Sequence, residues 1–413
     1  MVTVQRQRLR RPRLPKGYFI LGGTFLLCIL ALVLTTVAFC KSLFRGRQPL
    51  TTTNYIPRPT SPQFIRSNDH CKHLYNPYGC IILPPELTND IRLDIEEIKQ
   101  AEGADIAVAY GSKHKAAMSL QGKDHVQNQD RGIIISPFRI PFQKVRPIAG
   151  ANKNDFMVAI YDGHGDDGHK VSQYLQDHLH ERIADKLANV HTWSDDIIKQ
   201  ALNATFVEMD LELPNNLGET GGSTASVILR LGQKLFFANV GDSLSFLAMY
   251  DDSNAETSIL HKNRFDKPHL PEEKERVERM GGKVFIPKHP ANSRVVAFNR
   301  VKSEMMTLGM SRAIGDWFHG EVGVIAEPIV DVIDLDDIIR QNLNAHFFVV
   351  SSCDGLYDHR EKEFVAKRFA NCFFEEQGCH PVVRSMDIID LATPKRISGY
   401  HDDMTVMALR LIL

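Results

Sequence analysis

Five aspartates stand at the ends of short apolar runs, and this pairing constrains the chain more than any other feature. Asp162 follows MVAIY, Asp242 follows FFANVG and Asp354 follows FFVVSSC. Asp402 comes just before the last apolar run with Asp403 beside it, and Asp130 stands before GIII. The runs are DFMVAIYD (155–162), STASVILRL (223–231), KLFFANVGD (234–242), HFFVVSSCD (346–354) and MTVMALRLIL (404–413). They are too short and too rich in β-branched and aromatic residues for core helices, so they read as buried strands of a sandwich. Gly232, between Leu231 and Lys234, makes the second and third a hairpin. A carboxylate at a strand end is held by a rigid sheet yet projects into a cleft. Singly, each such aspartate is a turn residue. Together, without a cation, they would repel one another. Hard oxygen donors of this kind suit magnesium or manganese.

Amphipathic stretches at 168–189, 194–213 and 271–280 predict helices, the last opening with Pro271 and closing at Gly281. A further helical stretch is expected at 85–101. Strands grouped with helix pairs predict an α+β fold, an antiparallel β-sandwich core flanked by helix pairs in α/β/β/α layers.

Charge divides the 413 residues into a head and a body. The first 68 residues hold eleven of the 49 Lys and Arg and none of the 50 Asp and Glu, leaving the rest at −12. Nothing in that acidic body reads as a nucleic-acid face. Residues 17–40 carry no charge; as a helix they would span roughly 36 Å, enough to cross a hydrocarbon core of about 30 Å. A cleaved signal peptide competes with a retained anchor, but its apolar region usually runs only about 7–15 residues. The Arg-rich, acid-free start also fits an organelle transit sequence. With six basic residues before the segment and three after it, the positive-inside rule keeps the N-terminus cytosolic. The expected organisation is a basic tail (1–16), a transmembrane helix (17–40), a linker and pre-domain segment (41–90) and one domain (91–413). The seven cysteines form neither a disulfide framework nor a zinc pattern. Only Cys71 and Cys80 lie close enough to invite a pairing, with two unpaired thiols or a weak metal site with His70 and His73 as the alternatives.

From Asp105 onward the residues resemble the type 2C metal-dependent protein phosphatases. The motifs are NQDR at 128–131, YDGHG at 161–165, GGSTA at 221–225, ANVGDS at 238–243, DKPHLPEEKERVERMGG at 266–282, SRAIGD at 311–316, IAEP at 325–328, SSCDGLYD at 351–358 and HDDMTV at 401–406. The resemblance implies that Asp130, Asp162, Asp354 and Asp402, with the Gly163 carbonyl, hold two Mg2+ or Mn2+ ions, Asp162 bridging. A bridged hydroxide would then attack phosphorus. It implies a general-acid role for His164, which is otherwise read as a hydrogen-bonded neighbour, and a weaker third metal at Asp242. Three positions depart from the family pattern. His125 stands where an Arg grips phosphate, Gln129 replaces a Glu and Asp403 replaces an Asn; each is a candidate for phosphate or water positioning. The segment 284–308 falls where the family has a variable flap, and its Lys288, Arg294, Arg300 and Lys302 either meet a phosphopeptide or are solvated charges. The implied activity is hydrolysis of phosphoserine and phosphothreonine in phosphoprotein substrates by a monomeric, membrane-anchored domain. A catalytically silent phosphatase-like scaffold is the alternative. A small-molecule phosphoesterase is disfavoured by the lack of Asp/His/Asn metal-ligand motifs.

Overall fold

A computed structural model describes residues 81–82, 107–122, 125–140, 154–299, 304–393 and 401–413, all within the unit Ser61–Leu413. The expected membrane helix at 17–40, the linker apart from Ile81 and Ile82, the helix at 85–101 and the Cys71–Cys80 pair lie outside them. Among the described residues no helix is long and apolar enough to cross a membrane.

Two sheets face each other. The first runs β1 (Ile81–Ile82), β4 (Asp130–Ile135), β5 (Phe156–Gly165), β7 (Ala225–Leu231), β8 (Lys234–Val240) and β15 (Ile329–Asp334), with β6 (Gly221–Ser223) on β5 and β14 (Ile314–Gly315) on β6. The second runs β10 (Glu256–Lys262), β9 (Leu244–Asp251), β16 (Ala345–Ser352), β17 (Met404–Arg410), β3 (Lys115–Leu120) and β2 (Ala107–Ser112). Apart from the parallel β1–β4 pair, the paired strands are antiparallel. The expected hairpin is the β7–β8 pair, closed by Gly232 and Gln233.

Alternation within strands builds three apolar layers. Ile134, Val158, Ile160, Ile228 and Phe237 of the first sheet meet Leu247, Phe347, Val349 and Met407 of the second. Residues one position out of phase face the other way. Ile133 and Ile135 turn toward the helix pair α1 (Gly168–Ala188) and α2 (Asp195–Leu211), which buries Val171, Leu175, Leu179, Ile183 and Leu187 at four-residue spacing. Phe348 and Val350 turn toward α4 (Lys362–Ala370) and α5 (Pro381–Ala392) through Val365, Phe369, Ile388 and Ile389. Covered on both faces, the central strands read as continuous apolar runs.

A third sheet, β11 (Lys283–Phe285), β12 (Arg294–Asn299) and β13 (Glu304–Leu308), spans the segment read as a flap, whose Arg300 and Lys302 lie outside the described residues. Beside it lies α3 (Pro271–Arg279), and Val277, Val295, Leu308, Met310, Ala313 and Val324 make its separate small core.

One reading is corrected. Cys372 and Cys379, taken from the sequence as scattered thiols, form a disulfide with Cα atoms 5.2 Å apart. The turn after α4 brings together side chains seven positions apart, nearer in sequence than the nine that separate Cys71 from Cys80, so the spacing itself held the signal.

Candidate metal centre

The first sheet supplies two donors through register. Asp130 opens β4 directly opposite Asp162 on β5, so their side chains share one face. Asp130 is 1% exposed; Thr405 Oγ1 of the second sheet donates to its Oδ2 at 2.7 Å, while its buried Oδ1 has no partner. Asp162 is fixed through its backbone: its N–H donates to Thr224 Oγ1 at 3.0 Å and its carbonyl accepts from Thr224 N–H at 2.9 Å. Thr224 is thus a support for Asp162. One atom each from Asp130, Asp162 and the buried thiol of Cys353 lie within 4.8 Å of one another.

The second sheet supplies the other arm. Asp354 follows β16 and Asp402 precedes β17, and these strands are neighbours. The two turns touch: a Cβ on Gly355 would fall 2.2 Å from the Asp403 carbonyl oxygen and 3.1 Å from Asp402 Cβ. Asp242 closes the ring from the β8–β9 turn that joins the sheets; it is 3% exposed, pairs with Lys267, and its Oδ1 has no partner. Beneath the aspartates the layer between the sheets turns polar. Ser226 Oγ lies 2.8 Å from Ser245 Oγ, which lies 2.6 Å from Ser351 Oγ, and Thr224 bonds Ser243 at 2.7 Å.

The donors feel one another. Burial, followed by the charge of Asp403, pushes Asp130 up to about 7 against an opposing hydrogen bond from Thr405. Burial pushes Asp162 well up, aided by Asp130, Asp354, Asp402 and Asp242. Asp354 rises through burial and the charges of Asp242 and Asp402, and Asp402 rises through burial against the pull of His125. Carboxylates held this close need protons or a cation. Hard, buried oxygens, two of them without partners, fit divalent magnesium or manganese.

Gly163 lies on β5 opposite Ser223, and a side chain there would drive its Cβ within 2.4 Å of the Gly168 carbonyl oxygen. Only glycine lets this backbone approach so closely. Next to it, His164 Nε2 lies 2.5 Å from Asp316 Oδ2, while His164 Nδ1 is buried without a partner. Burial alone would lower the pKa of His164, but the charge and hydrogen bond of Asp316 outweigh it and raise the value. The pair sits on bare backbone: a Cβ on Gly222 would fall 2.1 Å from Asp316 Oδ2 and 2.6 Å from His164 Nε2.

The three departures from the family pattern form one local unit. Asp403, read from the sequence as a candidate for phosphate or water positioning, is 3% exposed and turned inward. It accepts from Gly122 N–H at 2.8 Å, from Gln129 N–H at 2.7 Å and bonds His125 Nδ1 at 2.9 Å. It is a latch for the loop leading into β4. His125 Nε2 lies 3.5 Å from Asp402 Oδ1, and the hydrogen bond to Asp403 raises its pKa to about 9 despite burial. Gln129 buries an unpartnered Oε1 against Gly168, while its carbonyl accepts from Ser172 Oγ at 2.6 Å.

Asp130, Asp162 and Asp354 therefore converge with Asp402 and Asp242, and His164 stands at their edge. Sequence reasoning assigned no role to Asp316, Lys267 or Cys353, although all three lie in the motifs SRAIGD, DKPHLPEE and SSCDGLYD. Those motifs were the signal.

This geometry defines a class: an α+β sandwich whose two sheets jointly present a buried carboxylate centre for hard divalent cations. The chain belongs to the protein phosphatase 2C family, whose sequence profile matches residues 125–375, more than half of its length. The probable protein phosphatase 2C 73 of Arabidopsis thaliana is 27% identical over 72% of this chain and 79% of its own length. The integrin-linked kinase-associated serine/threonine phosphatase 2C of Homo sapiens is 26% identical over 66% of this chain and 63% of its own. In three dimensions, the serine-threonine phosphatase 2C of Toxoplasma gondii covers 75% of this chain and 100% of its own, with a TM-score of 0.54 at 16% identity, a likeness of fold.

Proposed function

We propose that this chain hydrolyses phosphoserine and phosphothreonine in proteins, with Asp130, Asp162, Asp354, Asp402 and the Gly163 carbonyl holding two Mg2+ or Mn2+ ions. The observation that carries this reading is the convergence of carboxylates from both sheets on one another, Asp130 and Asp242 among them buried. The serine/threonine assignment follows the human relative, a serine/threonine phosphatase 2C by name. Two divalent ions bound there supply an activated water and neutralise charge on the phosphoryl oxygens.

The residues of the chain supply the rest. His164, oriented by Asp316, donates a proton to the departing Ser or Thr oxygen. His125, taken up between Asp402 and Asp403, cannot offer the fork that an arginine would give to phosphate. Its part is to order the loop that presents Asp130. Substrate phosphate then depends on the ions, and the domain acts as a monomer.

The test is turnover of a phosphothreonine peptide. Wild-type protein should be active with Mn2+ or Mg2+ and silent after chelation. Asp162→Asn should lose more than about a hundredfold. A wild-type protein without turnover, or an unchanged Asp162→Asn, would leave the silent scaffold as the better account.

For location, the uncharged stretch at 17–40 supports a retained membrane anchor, with the short basic tail in the cytosol and the acidic body on the opposite side. Protease added to sealed vesicles should leave the body intact. Its digestion without detergent would reverse that orientation.

A further inference from the structure

We infer that Asp210, in the last turn of α2, is a positioning residue for the general acid: one of its oxygens holds the turn from which Asp316 reaches His164. The inference rests on the general-acid reading above and concerns what keeps that acid aimed.

The turn at 315–317 is not one that a chain adopts unaided. Gly315 has φ +87°, and Asp316 follows it with φ +51° and ψ +36°. Glycine enters this left-handed region freely. Aspartate tolerates it better than bulky residues do, but the surroundings must still hold it there. The result is direction, since Asp316 Oδ2 lies 2.5 Å from His164 Nε2. Backbone bonds fix one side of the turn. Asp316 N–H donates to the Gly221 carbonyl at 3.1 Å, and the Asp316 carbonyl accepts from His319 N–H at 2.7 Å and Gly320 N–H at 3.0 Å.

The other side rests on Asp210. Its Oδ1 accepts from Gly315 N–H at 2.7 Å and from Trp317 Nε1–H at 3.2 Å. A single oxygen thus grips the residues on both sides of Asp316. The indole is itself kept in place by a close approach, because a Cβ on Gly218 would fall 2.4 Å from Trp317 Cε2. For any other purpose the position suits an acid poorly. It lies where the helix carbonyls leave negative partial charge, and the last turn of α2 holds no basic residue. Burial pushes the Asp210 carboxyl up, against the hydrogen bonds of Gly315 and Trp317, and the nearby charge of Asp316 pushes the same way. The clamp on the turn accounts for an aspartate kept there. Without it, the peptides flanking Asp316 could relax and swing its carboxylate off His164. The loss would then fall on the proton given to the departing oxygen, while the metal donors, on other elements, stay in place.

The measurement is Mn2+-supported turnover by the full-length protein of a phosphothreonine peptide and of an aryl phosphate, whose leaving group needs no proton. Asp210→Ala should lower kcat on the peptide by about tenfold or more, with KM little moved, and should cost much less on the aryl phosphate. Asp210→Asn keeps an acceptor oxygen for both donors and should recover most of that loss. In a His164→Ala background, Asp210→Ala should add nothing. Should Asp210→Ala not fold, Trp317→Phe decides in its place, since it removes one donor and keeps a ring over Gly218; a loss confined to the peptide supports the clamp. Equal losses on both substrates, an unchanged peptide rate, or an Asp210→Asn as slow as Asp210→Ala would overturn the inference. A further loss on top of His164→Ala would do the same. A His164→Ala as fast as wild type on the peptide would remove the general-acid reading beneath it, and a wild type idle on both substrates would remove the phosphatase reading as well.

Discussion

Neighbouring aspartates at the centre do opposite work because their surroundings differ. Asp402 keeps a partly exposed side chain beside the carboxylate of Asp354, whereas Asp403 is consumed by two backbone N–H groups and a histidine. Adjacent residues in a strand lead-in point to opposite sides, so only one of the two can face the cleft. The same logic makes Gly222 a sensitive position. Gly222→Ala forces its Cβ into the space of Asp316 Oδ2 and His164 Nε2. We expect turnover of a phosphothreonine peptide to fall by about a hundredfold or more, the usual worth of a positioned general acid. An aryl phosphate, whose leaving group departs without a proton, should lose much less. Equal losses on both substrates would mean that the substitution disturbs the metal donors themselves. At this scale the aspartates were legible only as a set: one at the end of an apolar run is an ordinary turn residue, and five of them are what point to a shared cleft. Their supports were not. Asp316 lies 152 positions from His164 and Thr405 lies 275 from Asp130. No local pattern links such partners.

Elements were legible where periodicity was strong. The expected helix at 168–189 is observed as Gly168–Ala188, and that at 194–213 as Asp195–Leu211 with Ser194 accepting from Ile197 N–H at 3.3 Å. The strand boundaries shifted where turns intervened. The run read as 223–231 is broken at Thr224, so Gly221–Ser223 pairs separately with β5 and β14. The break places Thr224 under Asp162, where it is needed. The Cys372–Cys379 bridge belongs to this scale as well, closing the turn that packs Phe373 and Phe374 against Tyr250 and Phe348. For a loop this short, loop-closure entropy predicts a contribution of about 2–3 kcal/mol. Cys372→Ser should lower the denaturant midpoint accordingly, and reductant should reproduce the loss in wild type but leave the variant unmoved. A wild type indifferent to reductant would show that the bridge adds nothing to stability.

Across the whole molecule, the charges gathered at the mouth of the sandwich make stability depend on pH and on cations. Asp130 holds its proton up to about 7, against an ordinary value of 3.8. A carboxyl group raised on folding contributes stability that is present below 3.8 and lost as pH rises toward 7. Asp162, Asp354 and Asp402 are shifted in the same direction and add to the slope. Metal-stripped protein should therefore melt at progressively lower temperature across that window. Mn2+ or Mg2+ should raise Tm at about pH 7 more than at about pH 5, because cations compete with protons for the same oxygens. A metal-free Tm that climbs over this range would contradict the assignment. The layered architecture was readable from the alternation of strands and helix pairs. The joint ownership of the centre by two sheets was not, because it depends on how the sheets face each other.

The bond between Cys372 and Cys379 carries a message about address. Glutathione keeps most cytosolic thiols reduced, whereas bridges persist in the secretory route and outside the cell. A body displayed on the far side of the membrane would keep that pair blocked to maleimide in freshly lysed cells, while a body bathed in cytosol would expose both sulfurs to the reagent. The linkage thus serves as an internal record of the compartment in which each molecule resided.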